Sequence, residues 1–349
     1  MAREIELRVD VTDAAGLGEP AHITATVVLP DPGLIGERTV VCFAKPGGSY
    51  SRGYYTCDLP GPASGAQAAW HAARGWIFVA LDTLGSGASS CHDSEALDFA
   101  TLGRAAMAAE QDILLRLANG VLESGYPPVH QPAVIGIGQS LGGSLVIHQQ
   151  AHHRSYDGVA ILGFSAVHSH PATPPGGAPI VVAWYARDGS GDPVNAPAFA
   201  EATTDGPQDS AWPALAWGFH YDDVPHDVVE QDMLHYEATA HSGEHNSQLK
   251  IEPWMSFTTP APVGRVTLTP GAVATEAAAI AVPVLCAMGE RDLVVDPPGE
   301  PRAFRSAPSV DLFVCPQLGH MHNFGGTRAL FWERIHLFGE WSAAMKAAR

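Results

Sequence analysis

The stretch VIGIGQSLGG, residues 134–143, carries a β-branched run onto a single hydroxyl with almost no side chains around it. Ser140 has Gly138 two residues before it and Gly142 two after, the spacing G-x-S-x-G. A serine on a sharp turn from strand to helix projects its Oγ clear of the sheet edge, and so tight a turn excludes bulky Cβ substituents at both flanking positions. The N-terminus of the following helix adds positive dipole where an oxyanion would form. A serine hydroxyl is a weak nucleophile at neutral pH, so it needs a base and an acid that orients the base. Candidates for both lie far downstream. Asp292 in MGERDLVVDP follows a buried strand by a few residues, with Asp296 as its rival, and His320 and His322 in CPQLGHMHNFGG follow the last strand in the same way. His320 is the expected base and His322 the alternative. Both loops leave the carboxyl ends of their strands, the edge at which sites form in open parallel sheets.

The elements that must position these residues are legible from periodicity. IELRVDVTD (5–13) and HITATVVLP (22–30) read as an antiparallel, hairpin-like start. TVVCFAKPGG (39–48) is a nearly continuous apolar run, the pattern of a strand buried on both faces. Helical and apolar stretches then alternate: SGAQAAWHAARG, WIFVALD (76–82), a helix near 98–118, AVIGIGQ, a helix from about 141, and GVAILGFS (158–165). Such alternation implies parallel strands with right-handed crossovers, an α/β fold with a mostly parallel sheet of about eight strands. The pattern breaks near residue 170 into a hundred residues rich in proline, glycine and aromatics, including Trp184, Trp212, Trp217, Phe219, Tyr221, Trp254 and Phe257. It resumes at VPVLCAMGE (282–290) and VDLFVCP (310–316), and closes on a helix whose Phe331, Ile335 and Phe338 share a core-facing stripe. The expected organisation is a core of residues 1–170 and 280–349 with an inserted cap over 171–279.

The chain has 349 residues, 46% hydrophobic and 16% charged, which suffices for a large core. Its net charge of −18 argues against nucleic acid, anionic membrane surfaces and polyanionic substrates such as CoA thioesters as partners. MAREIELRVDVTD contains no apolar segment of the signal-peptide kind, and the five cysteines are scattered without a CxxC pair. The expectation is a reduced, cytoplasmic protein. Two groups of histidines invite a metal reading: FHYDDVPHD (219–227), and His148 with His152 one helical turn apart. Neither has a third ligand at a defined motif spacing, so no metal is expected, and the polar residues of 219–227 read as solvated or capping groups.

Taken together, these motifs resemble the α/β-hydrolase superfamily over essentially the whole chain apart from the insertion. The order Ser140, Asp292, His320 is the chain order of that superfamily. DTLGSGASS (82–90) is similar to its D-x-x-G-x-G-x-S loop, and KPGGSY (45–50) to its H-G-G oxyanion loop, with Pro46 replacing the histidine. The resemblance implies an oxyanion hole formed by the N–H groups of Leu141 and Gly48, with Ser49 as second choice for the latter. It implies a serine hydrolase of the carboxylesterase or lactonase type that cleaves a fairly apolar, uncharged small-molecule substrate through an acyl-enzyme and needs no cofactor. The same triad could serve an acyltransferase, amidase, C–C hydrolase or perhydrolase, and a non-catalytic ligand-binding protein could share the fold. Ser140 in place of an aspartate argues against a haloalkane dehalogenase or epoxide hydrolase. Whether copies assemble into a homo-oligomer is left open.

Overall fold

The alternating N-terminal segments form β1 (Arg3–Asp10) and β2 (His22–Leu29), antiparallel with Arg3 opposite Leu29 and Asp10 opposite His22. The apolar runs that follow become β3 (Val40–Lys45), β4 (Ile77–Leu81), β5 (Ala133–Gln139), β6 (Gly158–Leu162), β7 (Val284–Gly289) and β8 (Val310–Cys315). This computed structural model describes residues 3–177, 180–198, 212–240 and 249–348. The strands form one eight-stranded sheet in the order β1-β2-β4-β3-β5-β6-β7-β8, parallel from β4 through to β8 and antiparallel at the β1–β2 and β2–β4 pairings. Every residue of β3 through β7 is buried, which is why these strands read as continuous apolar runs.

Among the described residues the helices of six or more residues are α1 (Gln67–Ala72), α2 (Phe99–Ala118), α3 (Leu141–His153), α4 (Trp212–Phe219), α5 (His226–Ala240), α6 (Ala261–Val266), α7 (Ala274–Ala279) and α8 (Arg328–Ala347). Asp98 caps α2 by accepting the Thr101 N–H at 2.8 Å. One face of the sheet packs on α2 and α3 through Leu102, Ala109, Ile113, Val146 and Ile147. The other packs on α1 and α8 through Ala68, Ala72, Phe331, Ile335 and Phe338, the last three in the role their spacing indicated. Helices α4 to α7 all lie between β6 and β7. Val263, Val273 and Ala277 belong to the same apolar cluster as α2 and α3, so the end of the 171–279 segment packs with the sheet.

A buried polar knot sits at the root of the loop after β3. Lys45 Nζ donates to Glu110 Oε1 and to Tyr156 OH, both at 2.6 Å, and Gln149 Nε2 donates to Glu110 Oε2 at 2.7 Å. Removing one partner of a buried pair strands the other charge, whereas replacing the whole group with apolar residues removes the desolvation cost as well. Lys45→Met should therefore destabilise the fold by about 3–5 kcal/mol in urea unfolding. The triple variant Lys45→Met/Glu110→Met/Tyr156→Phe should recover much of that loss; equal destabilisation of the two would refute this account.

Candidate active site

Ser140 stands between β5 and α3 with φ 53° and ψ −124°, a strained backbone for a residue with a Cβ. The strain is what turns the chain out of the sheet. A Cβ on Gly138 would lie 2.1 Å from the Gly142 carbonyl oxygen, and one on Gly142 would lie 2.3 Å from that of Lys45. The two flanking glycines are thus required by contact between the elbow and the end of β3. Ser140 is 8% exposed, and its N–H donates to the Leu162 carbonyl at 2.8 Å.

Asp292 and His320 meet as their loop positions indicated. Asp292 Oδ1 accepts from His320 Nδ1 at 2.6 Å, with both side chains buried. The same carboxylate has three further donors: Leu293 N to Oδ1 at 2.7 Å, Gly289 N to Oδ2 at 2.7 Å and His322 Nε2 to Oδ2 at 2.8 Å. Burial acts to raise the Asp292 pKa, but the two imidazoles outweigh it and hold the carboxyl well below its usual range. An anionic acceptor fixes the tautomers: the ring nitrogens facing Asp292 carry hydrogen. His322 is a second partner of the acid, its ring 4.2 Å from that of Phe331. Asp296 has no bond to either histidine and instead starts the turn at Gly299, whose N–H its carbonyl accepts at 3.0 Å. Gly163, at φ 60°, lies against the pair; a Cβ there would come within 3.0 Å of Asp292 Oδ1, Asp292 Oδ2 and His320 Nδ1.

The remaining nitrogen of His320 faces the elbow. The side-chain amide of Gln139, the residue before the serine, donates to the His320 carbonyl at 3.1 Å and lies 3.3 Å from His320 Nε2. Bonding to that carbonyl requires the amide nitrogen on this side, and with Nδ1–H committed to Asp292 the tautomer leaves Nε2 as the acceptor. Ser140 Oγ forms no hydrogen bond among the described residues, and Gln139 takes the place expected for it. Gln139 Oε1 is buried without a partner among the described residues.

The loop after β3 closes on the same point. A Cβ on Gly47 would lie 3.1 Å from Ser140 Cβ, and one on Gly48 would lie 3.7 Å from Leu141 Cδ1. Among the described residues the N–H groups of Leu141 and Gly48 have no acceptor. The Ser49 N–H is taken by Thr259 Oγ1 at 3.0 Å, which sets that second choice aside. Phe219 packs its ring 5.1 Å from that of His320, and Tyr236 OH donates to the Gly48 carbonyl at 3.4 Å.

The family's sequence profile, described as Serine aminopeptidase, S33, matches residues 64–324, most of the chain. The chain belongs to this family of α/β-hydrolases. No curated protein matches it in sequence. Among solved structures, a proline iminopeptidase from Mycobacterium smegmatis is similar with a TM-score of 0.59 at 16% identity, over 98% of this chain and 100% of the other. A putative aryl esterase from Burkholderia cenocepacia gives 0.56 at 14%, over 97% and 100%. An enol-lactonase from Burkholderia xenovorans LB400 gives 0.51 at 15%, over 91% and 96%. At these identities the likeness is one of fold.

Within this hydrolase fold, the segment between β6 and β7 reaches the loops after β3 and β8. The N–H groups of His320 and Met321 donate to the carbonyls of Gly218 and Phe219 at 2.9 and 2.8 Å. Arg291, beside Asp292, is held by both carboxylate oxygens of Asp222 at 2.7 Å and lies over the rings of Trp217 and Tyr221. On the opposite side, Ser51 N donates to the Trp254 carbonyl and Ser256 N to the Ser49 carbonyl, both at 2.8 Å. Tyr50 OH donates to Asp232, whose other oxygen pairs with His220 Nε2 at 2.8 Å. His220 is therefore a buried, paired residue and not a solvated one, because α5 brings Asp232 against it. Asp222 and Asp223 do sit at the surface, Asp223 accepting the Gly326 N–H at 3.0 Å. Tyr50, Tyr54 and Tyr55 are packed in the core, and Arg52 bonds Asp82 at 2.6 Å.

Sequence reasoning missed Gln139 and the pairing of His322 with Asp292. Gln139 carried no motif signal beyond its place inside G-x-S-x-G. The Asp292, His320 and His322 ligand atoms lie within 4.8 Å of one another, but two of the nitrogens spend their hydrogens on the carboxylate, so a cation would have to displace both.

Burial, opposed by the Asp292 contact, lowers the His322 pKa. Folding depresses both His322 and Asp292, so on acidification the unfolded chain takes up those protons first. The stability they contribute is fully present above the ordinary imidazole range, and it falls as pH drops through the ordinary imidazole and then carboxylate ranges. In His322→Ala the first of these losses should disappear from a series of urea melts against pH. His320→Ala should lose about 10²–10⁴-fold in kcat/KM, while His322→Ala keeps most of its activity. A dead His322→Ala beside an active His320→Ala would reverse the two roles.

Proposed function

We propose that the chain is a serine hydrolase that cleaves a carboxylic ester or lactone of a fairly apolar, uncharged small molecule through an acyl-enzyme on Ser140. The observation that carries the proposal is the buried Asp292–His320 bond of 2.6 Å, with the other ring nitrogen, Nε2, facing the elbow beside the Gln139 amide at 3.3 Å. His320 takes the proton of Ser140 as Oγ attacks the carbonyl carbon, and Asp292 stabilises the imidazolium. For this the serine hydroxyl replaces the Gln139 amide at Nε2, an adjustment that substrate binding supplies. The N–H groups of Leu141 and Gly48 receive the oxyanion; losing one such donor costs about 2.7–4 kcal/mol of transition-state stabilisation. His320 then protonates the leaving group, and water hydrolyses the acyl-enzyme with the roles reversed.

The surroundings favour an uncharged substrate over an amino-terminal peptide. A substrate ammonium needs a carboxylate partner. Among the described residues near the elbow, Asp292 serves the histidines and Asp232 serves Tyr50 and His220. The walls contributed by Phe219, Leu141 and Thr259 are apolar or uncharged. The 171–279 segment acts as the cap, with Phe219 and Tyr236 bounding the acyl or alcohol side. Among the described residues no helix is long and apolar enough to cross a membrane, which suits the proposed cytoplasmic setting.

A fluorophosphonate should label the native protein and not Ser140→Ala. A panel of p-nitrophenyl esters of increasing chain length, bulky lactones and aminoacyl p-nitroanilides should show turnover of esters or lactones, lost in Ser140→Ala. Exclusive turnover of aminoacyl anilides would replace the ester reading with a peptidase one, and undiminished labelling of Ser140→Ala would remove the nucleophile.

A further inference from the structure

On the sheet face away from the Asp292 pair, α3 carries His148 and His152, four residues apart and so on one side of the helix. Their ring centroids are 4.3 Å apart, and Phe99 stacks on His148 at 5.1 Å. Sequence spacing offered no third ligand. The fold supplies one, because α7 packs against α3 and brings the buried Glu276 carboxylate to 3.7 Å from His152 Nε2. The candidate ligand atoms of the three side chains all lie within 4.8 Å of one another.

We propose that His148, His152 and Glu276 form a binding site for a divalent transition-metal ion of the Zn(II) class, which ties α3 to α7. Two imidazoles and one carboxylate suit a borderline cation, whereas Mg(II) and Ca(II) prefer all-oxygen sets. Glu276 is already oriented: Arg187 Nη2 lies 2.5 Å from both of its oxygens, while Arg187 Nε donates to the Ala272 carbonyl at 3.0 Å. A carboxylate has about four lone-pair sites, so this clamp leaves room for a metal and acts as the outer partners of metal ligands do. His148 Nδ1 is buried with no hydrogen-bond partner among the described residues, so the ring makes no competing bond there. A cavity of about 290 Å³ opens beside the cluster, lined by Asp98, His148, Arg187, Asp188 and Glu276, with space for water to complete a tetrahedron. Three carboxylates there face one guanidinium, and that balance favours a cation.

The site is separate from Ser140, so its test does not depend on the hydrolase reading. Chelator-treated protein titrated with Zn(II) in a calorimeter should show a saturable site that His152→Ala and His148→Ala each abolish. His152 lies at the surface, so its variant should keep the native far-ultraviolet circular dichroism. Glu276→Gln should weaken binding about tenfold or more, and Zn(II) should raise the Tm of the native chain but not of His152→Ala. Equal affinity in Glu276→Gln would reduce the site to a histidine pair and overturn the proposal. Unchanged binding in His152→Ala would place the metal elsewhere and overturn it too.

Discussion

Asp292 accepts four hydrogen bonds at a position closed to water, two from backbone N–H groups of its own turn and two from imidazoles on the loop after β8. An ionised carboxylate without such partners would cost several kcal/mol to bury, so the two loops are obliged to meet. The backbone donors fix where the oxygens lie, and the oxygens fix the rings. Because the nitrogens facing the acid carry hydrogen, His320 Nε2 is left as the one lone pair of that ring directed at the elbow. The proton inventory of the site therefore follows from the ionisation of a single acid. Gly163 belongs to the same constraint, since any side chain at that left-handed position would strike the acid and the ring together.

The segment between β6 and β7 is tied into this geometry as a frame. Carbonyls at the end of α4 accept the N–H groups of His320 and Met321, and the Tyr50–Asp232–His220 chain joins the loop after β3 to α4 and α5. Two loops from opposite sides of the elbow thus share supports that neither strand supplies. Packing of this kind restricts how far the segment can swing without disturbing His320.

The sheet was legible because its five central strands are buried on both faces, and the order of Ser140, Asp292 and His320 along the chain placed each on the carboxyl edge. Those are short-range signals: apolar runs, glycine spacing and loop position. What stayed hidden depends on contacts between distant segments. His322 reads as a rival base because it sits two residues from His320, yet its role follows from which carboxylate oxygen it reaches. FHYDDVPHD reads as a solvated run because its partner Asp232 lies on the next helix. In the same way, nothing near His148 in the chain announces Glu276, which only helix packing brings beside it.

Buried ion pairs contribute little net stability when compared with apolar replacements, so their placement calls for another explanation. Here they stand at the roots of the loops that form the elbow's surroundings. Lys45 and Glu110 hold the residue from which the Gly47–Gly48 turn departs, and the Asp82 carboxylate takes both the backbone N–H and the guanidinium of Arg52 just beyond it. Arg328 anchors the start of α8 by donating to the carbonyl of Asn323, in the His320 loop, and to that of Leu59, before α1. An apolar core is tolerant of small slips, whereas a buried charge penalises any shift that breaks its bonds. On the proposed mechanism, the Leu141 and Gly48 N–H groups would sit about 3 Å from a transient oxyanion, and such placement needs that intolerance more than extra stability. The chain spends part of its small complement of charged residues on it.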